Sequence, residues 1–102
     1  MSRLEQIQKM LEREPNDAFL NFGLALEYVK AGRHEEAISQ FKQINQLDPN
    51  YIPAWFQQGN TLVTIGRLHE ASAVLREGIE IAEKIGDHHA AGEMGEVLAT
   101  LG

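Results

Sequence analysis

Residues 31–37 read Ala31-Gly32-Arg33-His34-Glu35-Glu36-Ala37, and residues 65–71 read Ile65-Gly66-Arg67-Leu68-His69-Glu70-Ala71. Gly-Arg and Glu-Ala return after 34 positions. Working outward, the same spacing relates Glu14-Pro15-Asn16 to Asp48-Pro49-Asn50, and Phe41 to Leu75. Several features sharing one offset define an internal repeat, and a period of 20–50 residues signals a stacked-repeat architecture. The stretches between these marks are rich in Ala, Leu, Glu and Gln and lack β-branched alternation, so they predict helices. Gly32 and Gly66 fall where a helix ends on a left-handed residue. Pro15 and Pro49 cannot continue a helix and stop the one before them. The unit is therefore helix, glycine turn, helix, proline break.

A helix-turn-helix unit of this length resembles the tetratricopeptide repeat family. The family pattern appears over residues 18–51 as Leu24-Ala25, Tyr28, Gly32, Ala37, Phe41 and Pro49, with Asn21 in place of the opening aromatic and Ile44 in place of a small residue. From Ile52 it appears as Trp55, Gly59, Leu62, Gly66, Ala71, Leu75 and Gly78. Gln58 departs from the usual Leu, and Glu83 stands in place of the closing Pro, so the last long helix is expected to run to about Ile85 and end at Gly86. The pattern overruns both ends. Leu4, Ile7, Met10 and Leu11 give residues 1–17 the apolar stripe of a second helix, and Met94-Gly95, Leu98 and Leu101-Gly102 give residues 87–102 the marks of a first helix, two residues out of register. The resemblance implies one all-α domain over 1–102: a right-handed α-solenoid of antiparallel helix pairs with about six helices. Its parts are a half-repeat at 1–17, repeats at 18–51 and 52–86, and a capping half-repeat at 87–102.

On a helical wheel at about 100° per residue, Leu20, Leu24, Tyr28 and Ala31 share one face, and Phe19, Phe22, Leu26 and Val29 share the opposite one, with Lys30 at its edge. A helix packed on one side needs a single apolar stripe; this one has two. The second unit repeats the division, with Ala54, Gln58, Leu62 and Ile65 expected to pack and Pro53, Phe56, Asn60, Val63 and Thr64 opposite. The resemblance implies that this second stripe is an inner, concave ligand wall made of Phe19, Phe22, Leu26, Val29, Lys30, Phe56, Asn60 and Val63. Asn50 and Tyr51 would form its rim, and His89, Glu93 and Glu96 would continue it. An apolar patch of this size marks an interface unless the N-terminal helix folds across and buries it. Some members of the family grip a terminal carboxylate with Lys, Asn and Arg; the matching positions are Phe22, Leu26, Pro53 and Gln57, so no such clamp is expected. An apolar peptide or helix is the implied ligand, or a second copy of the chain in a homodimer.

Other functions find little support. Among the 102 residues there are 15 acidic against 9 basic ones, a net charge of −6, which disfavours nucleic acid and anionic lipid as partners. There is no cysteine, and so no disulfide or thiolate metal site. No stretch approaches the roughly 20 apolar residues of a membrane span, no signal-peptide block opens the chain, and a cytoplasmic location is expected. The adjacent His88 and His89 point about 100° apart on a helix, and His89 with Glu93 would supply only two ligands, so no metal, cofactor or enzymatic activity is expected. Asp87 reads as the cap of that helix.

Overall fold

A computed structural model describes all of residues 1–102. Six helices follow one another: α1 (Arg3–Arg13), α2 (Ala18–Lys30), α3 (His34–Leu47), α4 (Ile52–Thr64), α5 (Leu68–Lys84) and α6 (His88–Ala99). Consecutive helices pack side by side in an elongated stack of 41 × 29 × 18 Å. The expected all-α solenoid is the fold.

The turns explain why the chain folds back at regular intervals. Gly32, Gly66 and Gly86 have φ of 77°, 80° and 83°, the left-handed conformation in which a Cβ would be strained. After each glycine the next amide reaches back to a carbonyl in the last helical turn: Arg33 to Tyr28 at 2.8 Å, Arg67 to Leu62 at 2.9 Å and Asp87 to Ala82 at 2.8 Å. Three Schellman closures thus end α2, α4 and α5 alike. With no proline near Glu83, α5 extends to Lys84 and is capped by Ile85.

Helix starts differ along the chain. Ser2 and Glu5 form a reciprocal capping box on α1. Asp17 accepts from the Leu20 amide at 2.9 Å, and Asp87 from Ala90 at 3.1 Å. α3 and α5 have no side-chain cap. Instead Arg33 forks onto Glu36 at 2.7 and 2.6 Å, and Arg67 forks onto Glu70 at 2.9 and 2.7 Å while also donating to Glu35 at 2.5 Å. These hydrogen-bonded guanidinium groups hold the Glu36 and Glu70 carboxyls below the usual carboxylate range. All are solvated, so they set orientation rather than supply much stability.

The core runs along the stack in three groups. Ala25, Ala37, Phe41, Ile44 and Ala54 join α2, α3 and α4. Ile38, Leu62 and Ala71 join α3, α4 and α5. Ile52, Leu75, Ala82, Ala91 and Met94 join α4, α5 and α6. Small residues set the helix spacing: a Cβ on Gly59 would lie 2.5 Å from Leu75 Cδ2, and one on Gly78 would lie 2.7 Å from Trp55 Cβ.

The packing face of α2 differs from the expected set. Leu24 is buried, but its partners are Asn21 and Ala25; Leu20 and Tyr28 are half-buried and Ala31 is exposed. The reason is geometric. α2 lies against both α1 and α3, so its buried seam is rotated from the single-neighbour stripe, and Ala31 caps the helix in the glycine turn. Asn21 is tolerated inside because it is saturated: its Nδ2 donates to the Pro15 carbonyl at 3.0 Å and the Asp17 carbonyl at 2.8 Å, and its Oδ1 accepts from Gln40 Nε2. It ties the proline break to α3. In α4, Ala54, Gln58 and Leu62 are buried as expected, while Ile65 is half-buried.

Gln58 lacks such compensation. It is 2% exposed and its Oε1 has no hydrogen-bond partner. An unpaired buried acceptor costs about 1–3 kcal/mol. Gln58→Leu, which restores the residue found at the equivalent Leu24, is expected to raise the unfolding free energy by about 1–2 kcal/mol, read as a higher urea midpoint at unchanged slope; a lower midpoint would show the amide to be satisfied.

Candidate interaction face

The wall residues expected from the sequence divide into two sets. Phe19 is 72% and Leu26 36% exposed, and both lie on α2 facing a cavity of ≈ 270 Å³ between α1 and α2. Phe22 and Leu20 complete its α2 side; Ile7, Met10, Gln6 and Arg3 form its α1 side. α1 therefore borders the patch and does not cover it. Phe22 is half-buried, because its ring meets Phe41 at 6.0 Å and Tyr51 edge-on at 5.4 Å. It is both a packing residue and part of the cavity floor.

The second set is held more firmly in the core. Val29 and Tyr51 pack on the Phe41 group, Phe56 on the Leu75–Met94 group, and Val63 on the Leu62 group. Asn60 is half-buried; Lys30 and Asn50 are exposed. Burial, reinforced by the nearby carboxylates of Asp17 and Asp48, pushes the Tyr51 hydroxyl above its ordinary value, so it remains a neutral donor at the rim. Of the expected wall, the apolar side chains most open to solvent are thus Phe19 and Leu26, on α2.

Met10, 50% exposed, is the principal lining residue that the wheel of α2 could not reveal. α1's stripe of Leu4, Ile7, Met10 and Leu11 has the width of an ordinary packed face, and only the packing shows that Met10 overhangs the cavity. Charges of both signs ring the cavity mouth: Arg3, paired with Glu27 at 3.7 Å, borders it, Lys9 and Arg13 line the adjoining surface around Met10, and Glu14 and Asp17 line the surface beside Phe19.

The remaining polar pairs are surface features. His88 Nδ1 lies 2.9 Å from Glu83 Oε2, and His89 Nε2 lies 3.3 Å from Glu93 Oε1 on the next turn. No group of three or more His, Cys, Asp or Glu side chains is placed to hold a metal ion. No helix is long and apolar enough to cross a membrane.

Helix pairs closed by glycine turns, stacked through small-residue seams and presenting one face of alternate helices, define a helical-repeat solenoid. The chain belongs to the tetratricopeptide repeat family: models of that repeat match residues 28–92 and 1–53. A TPR repeat-containing protein of Pseudomonas aeruginosa, PA0015, is 32% identical over 98 residues, covering 96% of this chain and 93% of its own. Among solved structures, the TPR2B domain of yeast Sti1 in complex with pHsp70 superposes with a TM-score of 0.89 at 18% identity, covering 96% of this chain and 78% of that one. PcrH in complex with the chaperone binding region of PopD gives 0.87 at 18% identity, covering 96% and 74%.

Proposed function

We propose that this chain is a non-catalytic protein-interaction module whose ligand is an apolar helix or extended apolar segment. The observation that carries the reading is the solvent-exposed Phe19 and Leu26 at the mouth of the α1–α2 cavity, with Met10 opposite. Exposed aromatic and methionine side chains gathered at a concave site are what interfaces use as anchors. Phe22, Val29, Lys30, Tyr51, Phe56, Asn60 and Val63 extend the contact along the inner wall. The similarity in shape to Sti1 and PcrH, each solved in complex with a partner, supports binding as the general role. The chemistry differs from a carboxylate grip, since Phe22, Leu26, Pro53 and Gln57 supply no cation. The rim carries Lys9 and Arg13 beside Glu14 and Asp17, so apolar contact rather than net charge carries the recognition.

The test is titration of a fluorescent amphipathic peptide with a leucine face. Phe19→Glu removes an exposed side chain, so its unfolding midpoint is expected to stay within about 0.5 kcal/mol of the parent. Its affinity for the peptide is expected to fall about tenfold or more. Unchanged affinity would overturn the assignment of the face.

A further inference from the structure

The 34-residue offset aligns Glu14-Pro15-Asn16-Asp17 with Asp48-Pro49-Asn50-Tyr51, so Asp17 and Tyr51 hold the same place, just before α2 and α4. Asp17 caps α2 with its side chain, whereas Tyr51 leaves α4 without a side-chain cap. A residue that breaks a local rule is expected to serve something else. Packing accounts for part of it, since the Tyr51 ring meets Phe22 edge-on at 5.4 Å. The residue is only half-buried, so aromatic surface stays open at the rim of the wall. The carboxylates of Asp17 and Asp48 lie close enough to act on its hydroxyl. Each is held through Oδ1 alone, Asp17 by the Leu20 amide at 2.9 Å and Asp48 by the Asn50 amide at 3.1 Å, which leaves both Oδ2 atoms without a partner. Neither carboxylate is in an ion pair. Arg13 lines the same surface as Glu14, Asp17 and Phe19, yet it pairs with neither acid.

We infer that Tyr51, Asp17 and Asp48 form a subsite for one basic side chain, a lysine or arginine of the segment that lies on the apolar wall. This rests on the reading of that wall as a peptide site and adds a polar contact to it. A cation is attracted to an aromatic face, and a carboxylate beside that face adds a charge-assisted hydrogen bond. Two anions near one phenol, with no cation paired to either, repel one another, and an incoming ammonium or guanidinium group relieves that repulsion. Both carboxylates are preorganised, because their hydrogen bonds belong to the turns that lead into α2 and α4, so neither has to be reoriented when a ligand arrives. Asp17 also lines the surface beside Phe19, which makes the subsite continuous with the exposed end of the wall. The basic residue therefore flanks the ligand's apolar anchors. An acidic residue at that place would be repelled, so the subsite fixes which way the segment runs while apolar contact supplies most of the affinity.

The experiment titrates three forms of the leucine-faced peptide, all with blocked termini: one with norleucine at both ends, one with lysine at the N-terminal end and one with lysine at the C-terminal end. One of the two lysine peptides is expected to bind about fivefold tighter than the norleucine peptide, and that advantage is expected to shrink as salt is added. Asp17→Asn and Asp48→Asn remove the charges but keep an oxygen that can accept each turn's hydrogen bond, so the double variant retains the fold. It is expected to bind the norleucine peptide as the parent does and to lose the preference for lysine. Equal binding of all three peptides, or a preference that survives in the double variant, would overturn the subsite. So would an equal gain for both lysine peptides, which reports only attraction to a chain of net charge −6. Norleucine peptide bound through Phe19 with no lysine preference removes the subsite alone. Norleucine peptide not bound by the parent removes the reading of the wall, and the subsite with it.

Discussion

Phe41→Ala is expected to lower the unfolding free energy by about 3–5 kcal/mol. The ring is fully buried among Ala25, Ala37, Ile44 and Ala54, and it meets Phe22 at 6.0 Å. It therefore touches three consecutive helices. Deleting it removes the transfer energy of a phenyl group and leaves a cavity that the short neighbouring alanines cannot fill. Domains of this kind are stable by only about 5–15 kcal/mol, so the variant approaches the limit of folding. The control is Ile7→Ala, one repeat earlier. Ile7 is buried but borders an open groove, so solvent and the flexible Met10 can occupy the space, and the expected loss is near the lower end of the range, about 2 kcal/mol. Urea titrations followed by circular dichroism measure both. A loss below about 1 kcal/mol at Phe41 would mean that the α2–α3–α4 seam is not the centre of the fold.

Glycine substitutions in α5 and α6 are expected to have opposite signs. At Gly78 a Cβ would stand 2.7 Å from Trp55 Cβ and 2.8 Å from Met94 Sδ. Trp55 cannot swing away, because its Cβ is fixed to the α4 backbone and its Nε1 donates to the Pro49 carbonyl at 2.9 Å. Gly78→Leu must force α4 and α5 apart and is expected to cost about 3 kcal/mol, more than the helix propensity it gains. Gly95→Ala, made where there is open space, is expected to add about 1 kcal/mol from propensity alone, read as a higher urea midpoint. If Gly78→Leu were neutral, the close approach of α4 and α5 would not exist. If Gly95→Ala destabilised the isolated chain, something would have to pack against that helix from within.

Much of the architecture was legible because it is punctuated by residues with few alternatives. Gly32, Gly66 and Gly86 adopt the positive φ that their positions required, and the absence of a proline near Glu83 correctly foretold a longer α5. The side-chain environment was less legible. A wheel drawn for α2 assumes one packing direction, whereas the helix has neighbours on two sides, so Asn21 and Ala25 are buried and Ala31 is not. Burial of Asn21 depends on carbonyls at Pro15 and Asp17 and on an amide from Gln40, a conjunction no periodicity reports. The candidate face shows the same limit. The sequence singled out Phe19, Phe22 and Leu26, but the opposite bank of their cavity, Met10 above all, belongs to α1, whose stripe marks a second helix without showing where it meets α2.

The position of α1 has a consequence for how the molecule opens. It is fastened to the stack through α2 alone, with Ile7 as its single buried side chain. Amide protons of residues 6–13 should therefore exchange with deuterium well before those of α3 and α4, through fraying that leaves the remaining helices intact. Because the same helix forms one bank of the groove, anything lodged there must slow that exchange, and the N-terminal amides become a reporter of occupancy.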